Sequence, residues 1–330
     1  MQAMSYTRFG AASDVLEMVT MSTPSPQPGE VLVELAVSGV NPSDVKARSG
    51  ARPGITKPAF DRIVPHSDGA GTIVVVGDGV ASDRIGTRVW IWNGQWQRAF
   101  GTAATHICLP AAQAVPLPDG VSFETGGSLG IPGLTACHAV FGGGGVRGQT
   151  VLVQGGAGTV GLLAVQLAKW AGARVIATTS QTRMATAKAA GADAVLDYAT
   201  DDLATQILKA NDGSFVDRIV EVEFGLNIAT DADVIKPNGT IAAYGSAKSM
   251  TPELSFGPLL FKAATIDILL IYLLPQPERN AAIARLHDAL SQGALNCPVE
   301  ATYSLAQCAK AHEAVEAAGR DGAILVDVTA

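Results

Sequence analysis

The chain has few cysteines, and no two of them form a close pair in the sequence. Cys108, Cys137, Cys297 and Cys308 are scattered over 330 residues without a C-x-x-C motif. This spacing is typical neither of a zinc knuckle nor of a redox dithiol. We therefore predict four reduced thiols in the core and no metal site.

Charge and long apolar runs are also scarce. Charged residues make up 16% of the chain against 48% hydrophobic residues, and the net charge is −7 without a cluster of Lys or Arg. A nucleic-acid partner is therefore not expected.

The longest apolar run, residues 268–274, is far shorter than the ~18–20 residues of a membrane span. Asp14 and Glu17 interrupt the N-terminal stretch, which is atypical of a secretory signal. We expect a cytoplasmic protein with no membrane partner.

What the sequence does contain is two regions of different pattern. The length exceeds the roughly 250–300 residues of one hydrophobic core, so two domains are expected. Short β-branched runs over 31–40, 71–77 and 87–92 predict a β-rich module. After Thr150, strand-like runs, the last of them over 266–274, alternate with helical segments, which predicts an α/β region with a doubly wound parallel sheet.

A glycine motif lies at the first strand of this alternating region. The run VLVQ is followed by G-x-G-x-x-G, formed by Gly156, Gly158 and Gly161, at the start of a helical segment. Gly156 is expected to make the tight turn, Gly158 to let the backbone approach a pyrophosphate, and Gly161 to allow close helix packing. The first helical residues, Thr159 and Val160, would present free N–H groups to the phosphates.

The residues after the second strand indicate which dinucleotide binds. An acidic residue there would bind the ribose 2′-hydroxyl of NAD, yet residues 174–192 contain no carboxylate. Thr179, Ser180 and Arg183 instead offer two hydroxyls and a guanidinium to a 2′-phosphate. We therefore predict NADPH as the cofactor. The alternative is that Arg183 is an ordinary exposed helix residue.

Beyond these motifs, the chain resembles the medium-chain dehydrogenase/reductase superfamily, in particular its zinc-free quinone oxidoreductase branch, which includes zeta-crystallin. The segments that carry the resemblance are 39–50, 64–77, 101–110, 131–140, 151–161 and 305–328. The resemblance implies a GroES-like, β-rich catalytic domain over 1–123 and 275–330. It also implies an inserted Rossmann NADPH-binding domain over 124–274, with nicotinamide and substrate held in a cleft between the domains.

The same resemblance indicates whether the ligands of a catalytic zinc ion are present. Zinc-dependent members use a Cys at the position of Asn41 and a His-Glu pair at the positions of Ser67 and Asp68. Without a thiolate or imidazole there, a tetrahedral zinc site is not expected. His66 stands where the family usually has Gly, and we interpret it as a structural residue. Lacking zinc to polarise a simple carbonyl, the enzyme would favour quinones and other electron-poor conjugated acceptors.

The resemblance also supplies further site residues. It implies that Asn41 lies near the nicotinamide, Thr135 near the ribose and phosphate, and Tyr198 beside the adenine. The remaining members of the cofactor trough would be Gly245, Ser246, Leu270, Ile271 and Tyr272. Asn41 and Tyr272 are the predicted catalytic residues. The open alternatives are a turn role for Asn41, a strand cap for Tyr198, and core or dimer contacts for residues 270–272.

Three functions remain open at this stage. The preferred one is an NADPH-dependent quinone oxidoreductase. The first alternative is an enone or alkenal double-bond reductase, for which Tyr272 and Tyr244 are possible proton donors. The second is an NADPH-binding sensor without turnover. Because the run 266–274 is apolar on both faces, a homodimer is predicted.

Overall fold

The computed structural model of the chain describes residues 1–51, 54–317 and 319–330. Its strands are, in chain order, β1 (Gln2–Ser5), β2 (Glu17–Thr20), β3 (Glu30–Val40), β4 (Asp68–Val76), β5 (Arg88–Ile91), β6 (His106–Pro110), β7 (Ala114–Pro116), β8 (Thr150–Val153), β9 (Arg174–Thr179), β10 (Ala194–Asp197), β11 (Val216–Glu221), β12 (Ile235–Ala243), β13 (Thr265–Ile268), β14 (Val299–Ser304) and β15 (Ala323–Asp327).

The α-helices are α1 (Ala12–Val15), α2 (Pro42–Ser49), α3 (Phe123–Gly126), α4 (Leu134–Phe141), α5 (Thr159–Trp170), α6 (Met184–Ala189), α7 (Leu203–Ala210), α8 (Phe224–Val234), α9 (Phe256–Phe261), α10 (Gln276–Ser291) and α11 (Cys308–Glu316). No helix in the described part of the chain is both long and apolar enough to span a bilayer.

The β-branched runs of the N-terminal region belong to one seven-stranded sheet. Six of its strands run in the order β14-β15-β3-β4-β5-β7, and the seventh, β6, pairs with β3. One edge of the long strand β3 pairs with β6 along its first half and with β15 along its second half. All pairings in this sheet are antiparallel except β14 with β15. Alternate residues such as Val31, Val33 and Leu35 point into a core that also receives α11. This compact unit comprises residues 1–131 and 297–330.

The alternating region folds into the second compact unit, residues 132–296. Its six strands run in the order β10-β9-β8-β11-β12-β13, and every neighbouring pair is parallel. The strand order reverses between β8 and β11, so β8 lies at the switch point where ligands bind in doubly wound sheets. The predicted α/β fold class, with a β-rich module and a doubly wound parallel sheet, is confirmed.

Two details differ from the sequence-based expectation. The strand predicted over 266–274 ends at Ile268, and residues 271–273 form a 3₁₀ turn instead. The buried Arg279 side chain donates to the carbonyls of Ile271 and Leu274, and so satisfies backbone groups that a sheet would otherwise pair. Residues 275–296, predicted to belong to the first domain, group with the second unit because α10 packs against α4.

Candidate functional site

The turn after β8 is built from glycines that leave no space for side chains. Gly155 has φ of +70°, a left-handed conformation that glycine adopts without strain. A Cβ on Gly156 would lie 2.7 Å from the Cβ of Ala177, and one on Gly161 would overlap the Gly155 carbonyl oxygen. Gly161 therefore allows the close helix packing that the motif predicts. The left-handed turn residue is Gly155, one position before the expected Gly156.

Gly158, by contrast, has open space beside it. It is the N-cap of α5 in an extended conformation, and the nearest atom to a Cβ there would be the Gly155 carbonyl oxygen at 3.4 Å. The next residues, Thr159 and Val160, are half-buried and start the helix. Free N–H groups at a helix start attract phosphate oxygens. This turn therefore fits the pyrophosphate of a dinucleotide.

The residues predicted to select the cofactor lie together at the ends of β9 and β10. Thr179 is buried at the end of β9, and its carbonyl accepts the N–H of Tyr198 at 3.1 Å. The guanidinium of Arg183 donates to the Ala157 carbonyl in the glycine turn. Tyr198 has a side chain 55% exposed, so its ring is available to stack on a planar group. The Arg183 side chain thus contacts the glycine turn and is not an ordinary exposed helix residue.

One carboxylate near this end of the sheet lies outside residues 174–192 in the sequence. Asp197 pairs in register with Thr179 across β10 and β9. Its Oδ1 accepts the N–H of Ala199 at 3.0 Å, so the carboxylate serves the turn that follows its own strand. Strand register brings Asp197 beside Thr179, although 18 positions separate them in the sequence.

A buried polar network lies at the end of β8 and supports the turn. Thr178 donates to Gln154 at 2.5 Å, and Gln154 donates to Asp231 at 3.0 Å. Burial raises the pKa of Asp231, and the nearby Glu221 carboxylate raises it further. The Gly156 N–H donates to the Thr178 carbonyl at 2.8 Å, which ties the network to the glycine turn. None of these residues stands out in the sequence, because each is an ordinary polar residue in a strand or helix.

The remaining predicted trough residues of this unit lie on several segments. Thr135 is buried in α4. Gly245 follows β12, and a Cβ there would overlap the Val222 carbonyl oxygen. The Ser246 hydroxyl accepts the Gly225 N–H at 2.8 Å and donates to the Ser249 carbonyl at 2.5 Å, so its hydrogen is used within its own loop.

In the segment after β13, Leu270 is 48% exposed, Ile271 is buried and Tyr272 is half-buried. The mixture of exposed and buried side chains fits a turn better than the predicted apolar strand. Tyr244, the other tyrosine considered as a donor, follows β12, and burial raises its pKa, with the Glu221 charge adding to the shift. A raised pKa keeps this phenol protonated at neutral pH.

The first unit holds a separate polar centre around Asn41. Asn41 is the N-cap of α2, Pro42 follows at N1, and the Asn41 N–H donates to the Asp44 carboxylate at 2.8 Å. Its amide Nδ2 donates to Asp68 at 2.8 Å, while both Asp68 oxygens accept the Ile131 N–H at 2.9 and 3.0 Å. Burial raises the pKa of Asp68 well above its ordinary value. The Asn41 amide is therefore fixed by a carboxyl group that the sequence analysis does not select.

Comparison with known proteins identifies this combination of units. Residues 27–119 match the family model described as the alcohol dehydrogenase GroES-like domain, and residues 159–288 match that of the zinc-binding dehydrogenase. The chain is 28% identical to a quinone oxidoreductase of Rattus norvegicus over 99% of this chain and 97% of the relative. A solved mycobacterial quinone oxidoreductase superposes with a TM-score of 0.86 at 30% identity, over 99% of this chain and 100% of that one.

A further solved structure contains the cofactor. The quinone oxidoreductase of Escherichia coli complexed with NADPH matches with a TM-score of 0.85 at 25% identity, over 99% and 100% of the two chains. The chain belongs to the medium-chain dehydrogenase/reductase superfamily. Within this superfamily it is quinone oxidoreductase-like, and it is an oxidoreductase. The first unit is accordingly the GroES-like unit and the second is the Rossmann unit.

The catalytic zinc of many dehydrogenases in this superfamily does not fit the residues around Asn41. Asn41 presents an N–H donor, not a lone pair, to Asp68, and the adjacent Ser67 is buried. An amide donor and a hydroxyl are poor replacements for the thiolate and imidazole that bind catalytic zinc. We therefore derive no catalytic step through a metal.

Proposed function

We propose that the chain is an NADPH-dependent quinone oxidoreductase that transfers a hydride without zinc. The proposal depends on the guanidinium of Arg183, which is bonded to the carbonyl of Ala157 in the glycine turn, and on Thr179 and Ser180, which lie at the end of β9, three to four positions earlier in the chain. A cation and two hydroxyls favour a 2′-phosphate, and an Arg–phosphate contact is one of the stronger hydrogen bonds in proteins. The complex of the related Escherichia coli enzyme with NADPH supports the same cofactor.

The acceptor is proposed from the chemistry of the Asn41 centre. A zinc ion is absent from the proposed mechanism because Asn41 and Ser67 replace the soft ligands. An acceptor must then be electron-poor in its own right, as quinones and other conjugated carbonyls are. The relatives named quinone oxidoreductase support this class.

Each residue group has a defined task in the proposed mechanism. Bound NADPH supplies the hydride. The N-terminus of α5 and Gly158 hold the pyrophosphate, and Arg183 holds the 2′-phosphate. Asp68 takes one hydrogen of the Asn41 amide, which leaves the second hydrogen for the nicotinamide or the carbonyl oxygen of the acceptor. We assign Tyr272 as the candidate donor of the proton that follows the hydride.

The test is NADPH oxidation by purified, chelator-treated protein. The acceptors are a 1,4-quinone, a 1,2-quinone and a simple enal, each also run with NADH. We expect rapid turnover of a quinone with NADPH and little turnover with NADH. Turnover of the enal alone would replace the proposal with double-bond reduction. Tight NADPH binding with no turnover would indicate a sensor.

We further propose a homodimer formed through β13. This strand is at the edge of the six-stranded sheet, and its last residue, Ile268, is 79% exposed. Phe256, Phe261 and Leu273 are also exposed large apolar side chains of the Rossmann unit. An unpaired apolar edge favours pairing with a second copy. Light scattering at micromolar concentration should give twice the chain mass, and Ile268→Lys should give a monomer; a monomeric parent protein would contradict this.

The remaining expectations about partners follow from composition alone. A small-molecule substrate, no nucleic-acid partner and no membrane partner remain predictions, as does a cytoplasmic location.

A further inference from the structure

We propose that His66, Cys308 and His312 form a buried binding site for a single cuprous ion. The three side chains are fully buried in the GroES-like unit. Their ligand atoms lie within 4.8 Å of one another, with 2.9 Å between the two Nε2 atoms and 3.9 Å from Cys308 Sγ to His66 Nε2. This inference concerns a site that the proposed reductase mechanism does not use.

Two of the ligands come from one face of one helix. Cys308 and His312 are four residues apart in α11, so their side chains lie one above the other. The i, i+4 spacing is the one by which helices commonly chelate metal ions. His66 approaches this pair from the residues before β4. Two ligands from one helix and a third from a distant segment together form a three-ligand site.

A directed chain of hydrogen bonds sets the tautomer of His66. Because the Asp68 carbonyl can only accept, Thr102 donates to it at 2.5 Å. The Thr102 oxygen then accepts from Ser38 at 2.8 Å, and the Ser38 oxygen accepts from His66 Nδ1–H at 2.8 Å. This leaves a lone pair on His66 Nε2, directed at His312 and Cys308. A metal-binding histidine is usually oriented by such a donation from its other ring nitrogen.

Binding of an ion requires a change of tautomer at His312. Without an ion, His312 donates from Nε2 to His66; to bind an ion through Nε2 it carries its proton on Nδ1, which is buried and makes no hydrogen bond among the described residues. Both rings are fully buried, an environment that disfavours the charged imidazolium. Neutral imidazole is the form that binds metals.

The backbone at His66 is also unusual. Its φ is +76°, a left-handed conformation that non-glycine residues rarely adopt. Strained backbone of this kind is concentrated at functional sites. A glycine would adopt this conformation without strain, but it would supply no imidazole.

The ligand distances fit a trigonal ion. With bonds of about 2.0 Å to nitrogen and 2.3 Å to sulfur, a trigonal ion would hold its ligands about 3.5 Å apart (N to N) and about 3.7 Å apart (N to S). The observed 2.9 and 3.9 Å require only that the two rings separate by about half an ångström, an estimate from the same bond lengths.

The ligand set favours copper(I) over zinc. When Cys308 releases its thiol proton to solvent, a cuprous ion, one thiolate and two neutral imidazoles make a neutral complex. A zinc ion with the same three ligands would leave one positive charge on the complex. Zinc also prefers four ligands, whereas His₂Cys trigonal sets suit copper.

The test is to refold the full chain with metal. The chain is unfolded in guanidinium with reductant and refolded without oxygen in the presence of the acetonitrile complex of copper(I). It is then desalted, and its metal is counted by mass spectrometry. A parallel sample receives zinc. We expect about one copper per chain and less than about a tenth as much zinc. X-ray absorption at copper should show one sulfur and two nitrogen neighbours.

Three variants connect the metal to these residues. Cys308→Ala removes the thiolate, and His66→Gly removes one imidazole while relieving the backbone strain. Cys297→Ala, which removes another buried thiol, is the matched control. We expect copper to fall to less than about a tenth in the first two variants and to stay unchanged in the control. Zinc retention in place of copper, no retained copper, or equal copper in Cys308→Ala would overturn the proposal. The metal count uses neither NADPH nor a quinone, so it is independent of the reductase assay.

Discussion

The two units of the chain form their candidate sites from residues at different sequence separations. In the Rossmann unit, the glycine turn after β8 is formed by residues 155–161, which are adjacent in sequence. In the GroES-like unit, Asn41 is fixed by Asp68, and His66 faces Cys308 and His312. Local motifs are visible in a sequence, whereas polar centres assembled from distant residues are not.

The largest expected effect tests the backbone role of Gly161. In Gly161→Ala, the new methyl group would overlap the Gly155 carbonyl oxygen, and we expect a loss of at least about 1–3 kcal/mol in the free energy of unfolding. Gly158→Ala is the control, because its methyl group would have 3.4 Å of space. It should keep the unfolding midpoint but lose NADPH binding. Urea unfolding and fluorescence titration measure the two quantities. Equal stability of Gly161→Ala and the parent protein would contradict the packing role.

The next largest effect concerns Arg183, whose guanidinium contacts the glycine turn. Arg183→Ala should weaken NADPH binding by roughly 10- to 150-fold, which corresponds to about 1.5–3 kcal/mol for a hydrogen bond to a charged group. NADH affinity should hardly change. Lys188→Ala, which removes a cation bonded to the Ala192 and Asp193 carbonyls, is the matched control. Calorimetric titration with both cofactors checks this. A variant that kept its preference for NADPH over NADH would overturn the role of Arg183.

A smaller effect tests the buried carboxyl of the GroES-like unit. Because burial raises the pKa of Asp68 in the folded chain, the unfolded chain releases this proton first. This group therefore makes the free energy of unfolding fall as the pH rises from about 4 toward its folded pKa. Asp68→Asn should flatten that decline. Urea unfolding at several pH values, compared with the parent protein, measures the difference. An unchanged slope would show that Asp68 titrates normally.

The smallest effect concerns Asp193 of the Rossmann unit, whose pKa is lowered in the folded chain, whereas that of Asp68 is raised. Although desolvation opposes the shift, the Val175 N–H and the Lys169 ammonium lower the pKa of Asp193. Its stabilisation is thus present above the ordinary pKa of about 3.9 and is lost as the pH falls through the folded pKa. Asp193→Asn should cost less than about 1 kcal/mol at pH 7, because solvent screens this half-exposed pair. The same urea series measures it, and a variant difference that persisted at pH 2 would contradict the assignment.

The sequence predicts the Rossmann site better than its surroundings. Gly158 and Gly161 lie in the turn between β8 and α5, and the guanidinium of Arg183 contacts this turn, as the motif predicts, although the left-handed turn residue is Gly155. The strand predicted over 266–274 is too long because the buried Arg279 pairs with the carbonyls that follow Ile268. Apolar content alone does not reveal where a strand ends when a distant side chain supplies the hydrogen bonds.

The sequence by itself determined the doubly wound sheet and the glycine turn at the start of α5, because these depend on local periodicity and local backbone freedom. Only the tertiary structure decided that Asp68 holds Asn41 and that His66 lies against His312, 246 positions away. The cysteine spacing shows only ligands that are close in sequence, so the proximity of Cys308 to His66 and His312 is visible in the tertiary structure alone. The physical reason is that a sheet and a helix bring together side chains whose separation along the chain carries no periodic signal.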